Sequence, residues 1–205
     1  MTVRYKKQKN GTLKLIGKTV KDYTQYWESP DRSTLIEQRY NVHGYAPEGI
    51  TKSESILQPV RGNTILEIGC APASFLKLAK EKGFDAEGIE PDKQYIEEMQ
   101  KYSGCKIHEG YFPLKLNKKY DTIVAMDVFE HIEDGQNFID ECRKILNPNG
   151  VIIFMLPLVM NDKKFDDKNK HPEHVWLYSE NHIKEWLKPI VFDRWIVGHE
   201  IIVFN

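Results

Sequence analysis

The sequence predicts an α/β fold, a doubly wound sheet that is mostly parallel and closes with a C-terminal antiparallel hairpin strand. Three observations carry this reading. A strand–turn–helix–strand unit runs from Asn63 to Asp92. The wholly apolar run Val151 to Leu156 reads as a strand covered on both faces, as a parallel sheet requires. Two β-rich runs near the C-terminus, Val191 to Val197 and Glu200 to Phe204, flank Gly198-His199 and read as an antiparallel pair.

Within the central unit, Ile65-Leu66-Glu67-Ile68 is short and apolar enough for a buried strand. Gly69-Cys70-Ala71-Pro72-Ala73-Ser74 follows as a tight turn of small residues. Phe75, Leu76, Leu78 and Ala79 then recur at helical spacing up to the stop at Gly83. The second strand, Ala86 to Ile89, ends on Glu90. In such a unit the turn and the helix N-terminus bring backbone N–H groups close to a nucleotide, and the terminal acid accepts hydrogen bonds from ribose hydroxyls. The interval from Gly69 to Glu90 matches the roughly 20 residues expected between turn and acid. A dinucleotide fingerprint would place glycine where Ala71 and Ser74 stand, which opposes an NAD-linked dehydrogenase.

Composition bounds the partners. At 205 residues and a net charge of −1, the chain gives no global electrostatic case for nucleic acid or a membrane surface. Cys70, Cys105 and Cys142 are far apart and form no C-x-x-C pair, which argues against a disulfide framework or zinc knuckle and for a reducing compartment. No apolar run approaches the roughly 20 residues of a membrane span. A cytoplasmic enzyme with a small-molecule substrate is the expectation, with the oligomeric state left open.

The remaining elements follow in order. Asn10-Gly11 between two alternating runs signals a hairpin, read as a small satellite or an arm. Aromatic residues concentrate in Asp22 to Glu28, and Ser33 to Val42 has helical character. Residues 1–50 form an N-terminal extension ahead of a domain over 51–205. Thr51 to Val60 reads as a short helix. Pro91-Asp92 starts a helix through Met99 and Tyr102, and Cys105 to His108 is a third strand. Asp134 to Leu146 is a helix with Phe138, Ile139, Cys142, Ile145 and Leu146 on one face, ended by Asn147-Pro148-Asn149-Gly150. The polar stretch Pro157 to Glu173 leaves the carboxyl end of the fifth strand, the edge where open α/β sheets bind ligands. Ser179 caps a helix that turns Ile183, Trp186 and Leu187 inward.

Glu67-Ile68-Gly69-Cys70-Ala71-Pro72-Ala73 resembles motif I, E/D-x-G-x-G-x-G, of the class I S-adenosylmethionine-dependent methyltransferases, with Ala71 and Ala73 at two of the three glycines. Tyr120 to Asp127 is similar to the family's fourth strand. Asp127-Val128-Phe129-Glu130-His131-Ile132-Glu133-Asp134 is similar to a segment of the ubiquinone-type and related members. The resemblance covers about Thr51 to Asn205. It implies a Rossmann-like domain that binds S-adenosyl-L-methionine, releases S-adenosyl-L-homocysteine, and methylates a polar small molecule at oxygen, a sugar or related metabolite. By the same resemblance the N-terminal extension folds over the site as a lid, with Tyr23, Tyr26 and Trp27 as candidates. Glu67 would order the turn, while Gly69, Cys70 and Ala71 pass the methionine part of the cofactor. Glu90 would hold the ribose. Tyr111 and Phe112 would flank adenine, in a slot where the family usually carries an acid, and Asp127, Val128 and Phe129 would close the pocket beneath.

An oxygen nucleophile benefits from a general base. Among Asp127, Glu130, His131 and His174, the first candidate is His131, because an ordinary imidazole titrates near about 6.5. His174 is the second. No metal ligands are assigned in this reading. Glu130-His131 with His171 or His174 is an alternative set for a metal, similar to the Glu-x-x-Glu-His cluster of small-RNA terminal-ribose methyltransferases, with Asp127 at the first position. A non-catalytic cofactor-binding module is a further alternative, motivated by Ala71, Ala73 and Tyr111.

Overall fold

The computed structural model describes residues 4–16, 23, 52–159, 173–196 and 199–205. The elements are β1 (Arg4–Lys7), β2 (Leu13–Ile16), α1 (Lys52–Leu57), β3 (Thr64–Ile68), α2 (Ser74–Glu81) and β4 (Asp85–Glu90). A 3-10 turn, Lys93–Tyr95, then leads into α3 (Ile96–Ser103), followed by β5 (Lys106–Glu109) and β6 (Tyr120–Met126). A second 3-10 turn, Phe129–His131, precedes α4 (Gly135–Lys144), β7 (Leu146–Val159), β8 (Trp176–Ser179), α5 (Glu180–Leu187), β9 (Val191–Ile196) and β10 (His199–Phe204).

The parallel core runs β5-β4-β3-β6-β7, with β10 antiparallel beside β7 and β9 antiparallel beside β10. Its central strands carry apolar side chains on both faces because helices cover both. Ile65, Leu66, Ile123, Val124 and the run Val151 to Leu156 are fully buried. On one face Ile56, Phe75, Leu76, Ala79 and Met99 pack from α1, α2 and α3. On the other, Phe138, Ile139, Cys142, Ile183 and Leu187 pack from α4 and α5. Asp121, at the entry to β6, accepts hydrogen bonds from the Thr64 and Asn63 backbones and from Asn147, which hold its carboxyl well below the usual range. Ser179 caps α5 as expected, accepting from the His182 N–H.

Two expectations need correction. The N-terminal hairpin forms around Asn10-Gly11, with Tyr5 opposite Leu15, but it is not a satellite. It extends the main sheet, because β2 pairs with β8 and β8 pairs with the far end of β7. The second is β8 itself, a strand directly ahead of the helix that Ser179 caps, where no strand was read. It pairs with β2 through Leu13↔Leu177 and with β7 through Leu158↔Tyr178, so its backbone groups are satisfied from both sides. Expected features at Ser33 to Val42, Tyr26, Trp27, His171 and most of the Pro157 to Glu173 loop lie outside the described residues.

Gly88 in β4 sits where a side chain has no room. A Cβ there would lie 2.5 Å from the Cys70 Sγ and 2.8 Å from the Leu76 Cδ1. Gly88→Ala should therefore cost about 1–3 kcal/mol of stability in denaturant unfolding. An unchanged midpoint would mean that the α2–β4 contact is looser than described.

Candidate active site

The turn after β3 is built by backbone geometry. Gly69 has φ +69°, and a Cβ there would meet the Val128 Cγ2 at 2.6 Å, so both conformation and space demand glycine. Ala71 lies outside the left-handed region, so alanine is tolerated at that position. Ala73 does adopt φ 65°, a conformation costing a residue with a Cβ roughly 1–2 kcal/mol. Its methyl group is fully buried in the apolar cluster with Phe75 and Leu76, pointing into the core. The Gly69 and Cys70 N–H groups both donate to the Ile89 carbonyl, which fixes the turn against the end of β4.

Glu90, at that end, reaches back to the turn. Its Oε2 accepts from the Ala71 N–H at 3.2 Å and its Oε1 from the Asp92 N–H at 3.1 Å. Burial pushes the Glu90 carboxyl up to about 7, against the lowering effect of those two bonds. Glu67, 2% exposed, is pushed well above the carboxylate range, first by burial, and its Oε2 finds no partner among the described residues. The Ser74 Oγ, at the start of α2, is likewise buried and unmatched. Backbone donors around a tight turn, a buried acid at the strand end and unmatched buried oxygens beside them suit a polar nucleotide-like ligand.

The other expected residues distribute around this turn. Tyr111 is 46% exposed, and its hydroxyl accepts from the Tyr23 backbone N–H at 2.5 Å. Phe112 packs edge-on against Phe138 with ring centroids 5.3 Å apart. Asp127 follows β6 with φ 53° and pairs with Lys52, while Val128 covers Gly69. Phe129 lies deeper. It is fully buried and stacks on Phe154 at 4.5 Å and on Tyr178 at 5.2 Å, so its ring belongs to the core beneath the site. The 3-10 turn at Phe129–His131 rotates Phe129 inward and leaves the next two residues to meet the loop before β8.

Those two residues and that loop form a second polar centre. Glu130, His131 and His174 each offer one ligand atom, and these atoms all lie within 4.8 Å of one another. Burial, then the charge of Asp127, pushes the Glu130 carboxyl well above its ordinary range, with only its own backbone N–H opposing the rise as a donor, and both oxygens are buried without a donor side chain among the described residues. The His174 Nε2 stands 3.9 Å from Glu130 Oε1. The His131 Nδ1 is 3.0 Å from both the Glu173 carbonyl and the Tyr23 hydroxyl. A carbonyl only accepts, so the Glu173 bond places the proton on Nδ1 and leaves the lone pair on Nε2.

A known domain family, described as "Methyltransferase domain", matches residues 40–190. The chain belongs to this methyltransferase family. Among relatives, it is 25% identical over 209 residues to a protein named ubiquinone biosynthesis O-methyltransferase from Rhodopseudomonas palustris (strain HaA2), covering 92% of this chain and 79% of that one. It is 32% identical over 95 residues to the protein of the same name from Rickettsia canadensis (strain McKiel), covering 43% of this chain. The chain spans only 40% of the length of that Rickettsia relative. Among solved structures, a glycopeptide N-methyltransferase complexed with S-adenosyl-L-homocysteine superimposes with a TM-score of 0.59 at 10% identity, covering 85% of this chain and 97% of that one. This last likeness speaks to the fold.

One member of this methyltransferase site had no sequence signal. Lys52, on α1, pairs with Asp127 across 75 positions of sequence, and its charge also favours the ionised forms of Glu67 and Glu130. It supplies a cation among three carboxyls. The histidine geometry makes a direct prediction: a long-range 1H–15N spectrum at neutral pH should show His131 in the Nδ1–H tautomer. Protonation at Nε2 alone would contradict the Glu173 hydrogen bond.

Proposed function

We propose that this chain transfers the sulfonium methyl group of S-adenosyl-L-methionine to a hydroxyl oxygen of a polar small molecule, a sugar or related metabolite. The observation that carries the oxygen acceptor is His131. In the tautomer that the Glu173 carbonyl selects, Nε2 is the basic ring nitrogen, the atom that would take the acceptor's proton as the new carbon–oxygen bond forms. The names of the relatives, which are O-methyltransferases, support the same atom. Bound cofactor supplies an electrophilic methyl group. In this reading the chain's own residues hold the reactants in line and move one proton.

Glu90 is assigned to the ribose, Glu67 and the turn from Gly69 to Ala71 to the methionine part, and Lys52 to a carboxylate of the ligand. Tyr111 stands at the open side for the base. Tyr23, reaching Tyr111 with its backbone and His131 with its hydroxyl, supports the reading of residues 1–50 as a lid.

A second reading rests on the unmatched oxygens of Glu130 beside His131 and His174. An acid and two imidazoles at this separation form a donor set for a divalent cation, which would orient the acceptor oxygen in place of a free base. Metal analysis of the purified protein separates the two readings, a stoichiometric divalent ion favouring the second.

Calorimetric titration with S-adenosyl-L-methionine and S-adenosyl-L-homocysteine tests the cofactor. Hydrogen bonds to a carboxylate contribute about 1.5–3 kcal/mol each, so Glu90→Ala should bind at least about tenfold more weakly than the wild type. Failure of the wild-type chain to bind either compound would end the proposal.

A further inference from the structure

The loop that carries His174 is gripped at three consecutive carbonyls. The Glu173 carbonyl lies 3.0 Å from the His131 Nδ1. The His174 carbonyl accepts from the Tyr5 hydroxyl at 3.1 Å, and the Val175 carbonyl from the Leu15 N–H at 2.9 Å. Two of these three donors come from the N-terminal hairpin, and they come from one register pair, Tyr5↔Leu15.

The hairpin is itself fastened further along the same segment. The Ser179 hydroxyl donates to the Asn10 carbonyl at 2.6 Å, and the Ser179 N–H donates to the Thr12 Oγ1 at 3.1 Å. Gly11 is pressed against Ser179, where a Cβ would lie 3.2 Å from the Ser179 Cβ. The Lys14 ammonium lies 4.8 Å from the Trp176 ring centroid. The contacts therefore run from residue 174 to residue 179, with the hairpin on one side and β7 on the other.

We infer that the N-terminal hairpin is a working part of the site, and that Tyr5 is a positioning residue that sets His174 against Glu130 and His131. This rests on the reading of His174 as a member of the site, whether as base or as metal ligand. A side chain whose backbone is anchored at its own carbonyl and at both neighbouring carbonyls has little freedom to leave its partners. The phenol suits the task. Burial, then the nearby Glu173 charge, pushes Tyr5 up to about 12, so it remains a hydrogen-bond donor throughout the working range. Tyr5 acts through the His174 backbone, 169 positions away in sequence.

The test is Tyr5→Phe, which keeps the ring and removes only the donor. In the wild-type chain, nuclear Overhauser contacts should link the Tyr5 ring to His174 and Val175. In the variant, the His174 and His131 ring signals should shift, while the unfolding midpoint stays close to that of the wild type and S-adenosyl-L-homocysteine affinity stays within about twofold. Ring signals that stay in place, or the absence of the wild-type contacts, would overturn the inference. These readouts need no acceptor. If the cofactor fails to bind the wild type, the proposed function falls while the positioning of His174 is still decided by the spectra.

Discussion

The Glu90 carboxylate is the constraint on which the rest of the site depends. It joins the end of β4 to the turn after β3 by accepting one backbone N–H from each side. A carboxylate has about four lone-pair positions, and the described residues fill two. Burial opposes its charge strongly enough to bring its titration to about 7. Any donor that reaches the remaining positions therefore gains more than it would at an exposed acid, because it stabilises a charge that the surroundings disfavour. The turn gains as well, since its orientation is set by the same group that would meet the ligand.

Around that constraint the molecule divides its labour. The half proposed to hold the cofactor stands on strand ends and tight turns, where the parallel sheet leaves little room for adjustment. The half that carries Glu130, His131 and His174 stands on a 3-10 turn and on the loop before β8. Loops of this kind are not held by a sheet from both sides, and here the N-terminal hairpin supplies the missing side. The aromatic stack of Phe154, Phe129 and Tyr178 lies beneath, so the backbone of the polar cluster rests on a packed base.

Much of this was legible in the sequence wherever the signal was local. The central unit needed only an apolar run, small residues and a terminal acid within thirty positions. The buried fifth strand and the C-terminal pair declared themselves by composition. The departures from the family glycines find their reason in backbone angles that residue type alone does not reveal. Only Gly69 combines a left-handed conformation with a crowded neighbour, while Ala71 needs neither and Ala73 buries its methyl group in the core. What escaped the reading was long-range. Nothing near Lys52 announces Asp127, nothing in Trp176-Leu177-Tyr178-Ser179 announces that two strands will flank it, and nothing at Tyr5 announces His174. The resemblance set Phe129 beside Asp127 and Val128, and the 3-10 turn that sends its ring into the core beneath them has no signal in residue type.

In the proposed site the buried Glu90, raised by burial to about 7, ties the turn to the cofactor through its ionised form. The most direct test is the pH dependence of S-adenosyl-L-homocysteine affinity, measured beside Glu90→Gln. Ribose hydroxyls donate best to the ionised acid, and Glu90 ionises as pH rises through about 7. Wild-type affinity should therefore strengthen from pH 6 to pH 8 by up to about tenfold, with proton release on binding at the lower pH, while the glutamine variant stays flat over the range. A wild-type profile that matches the variant's would contradict the account.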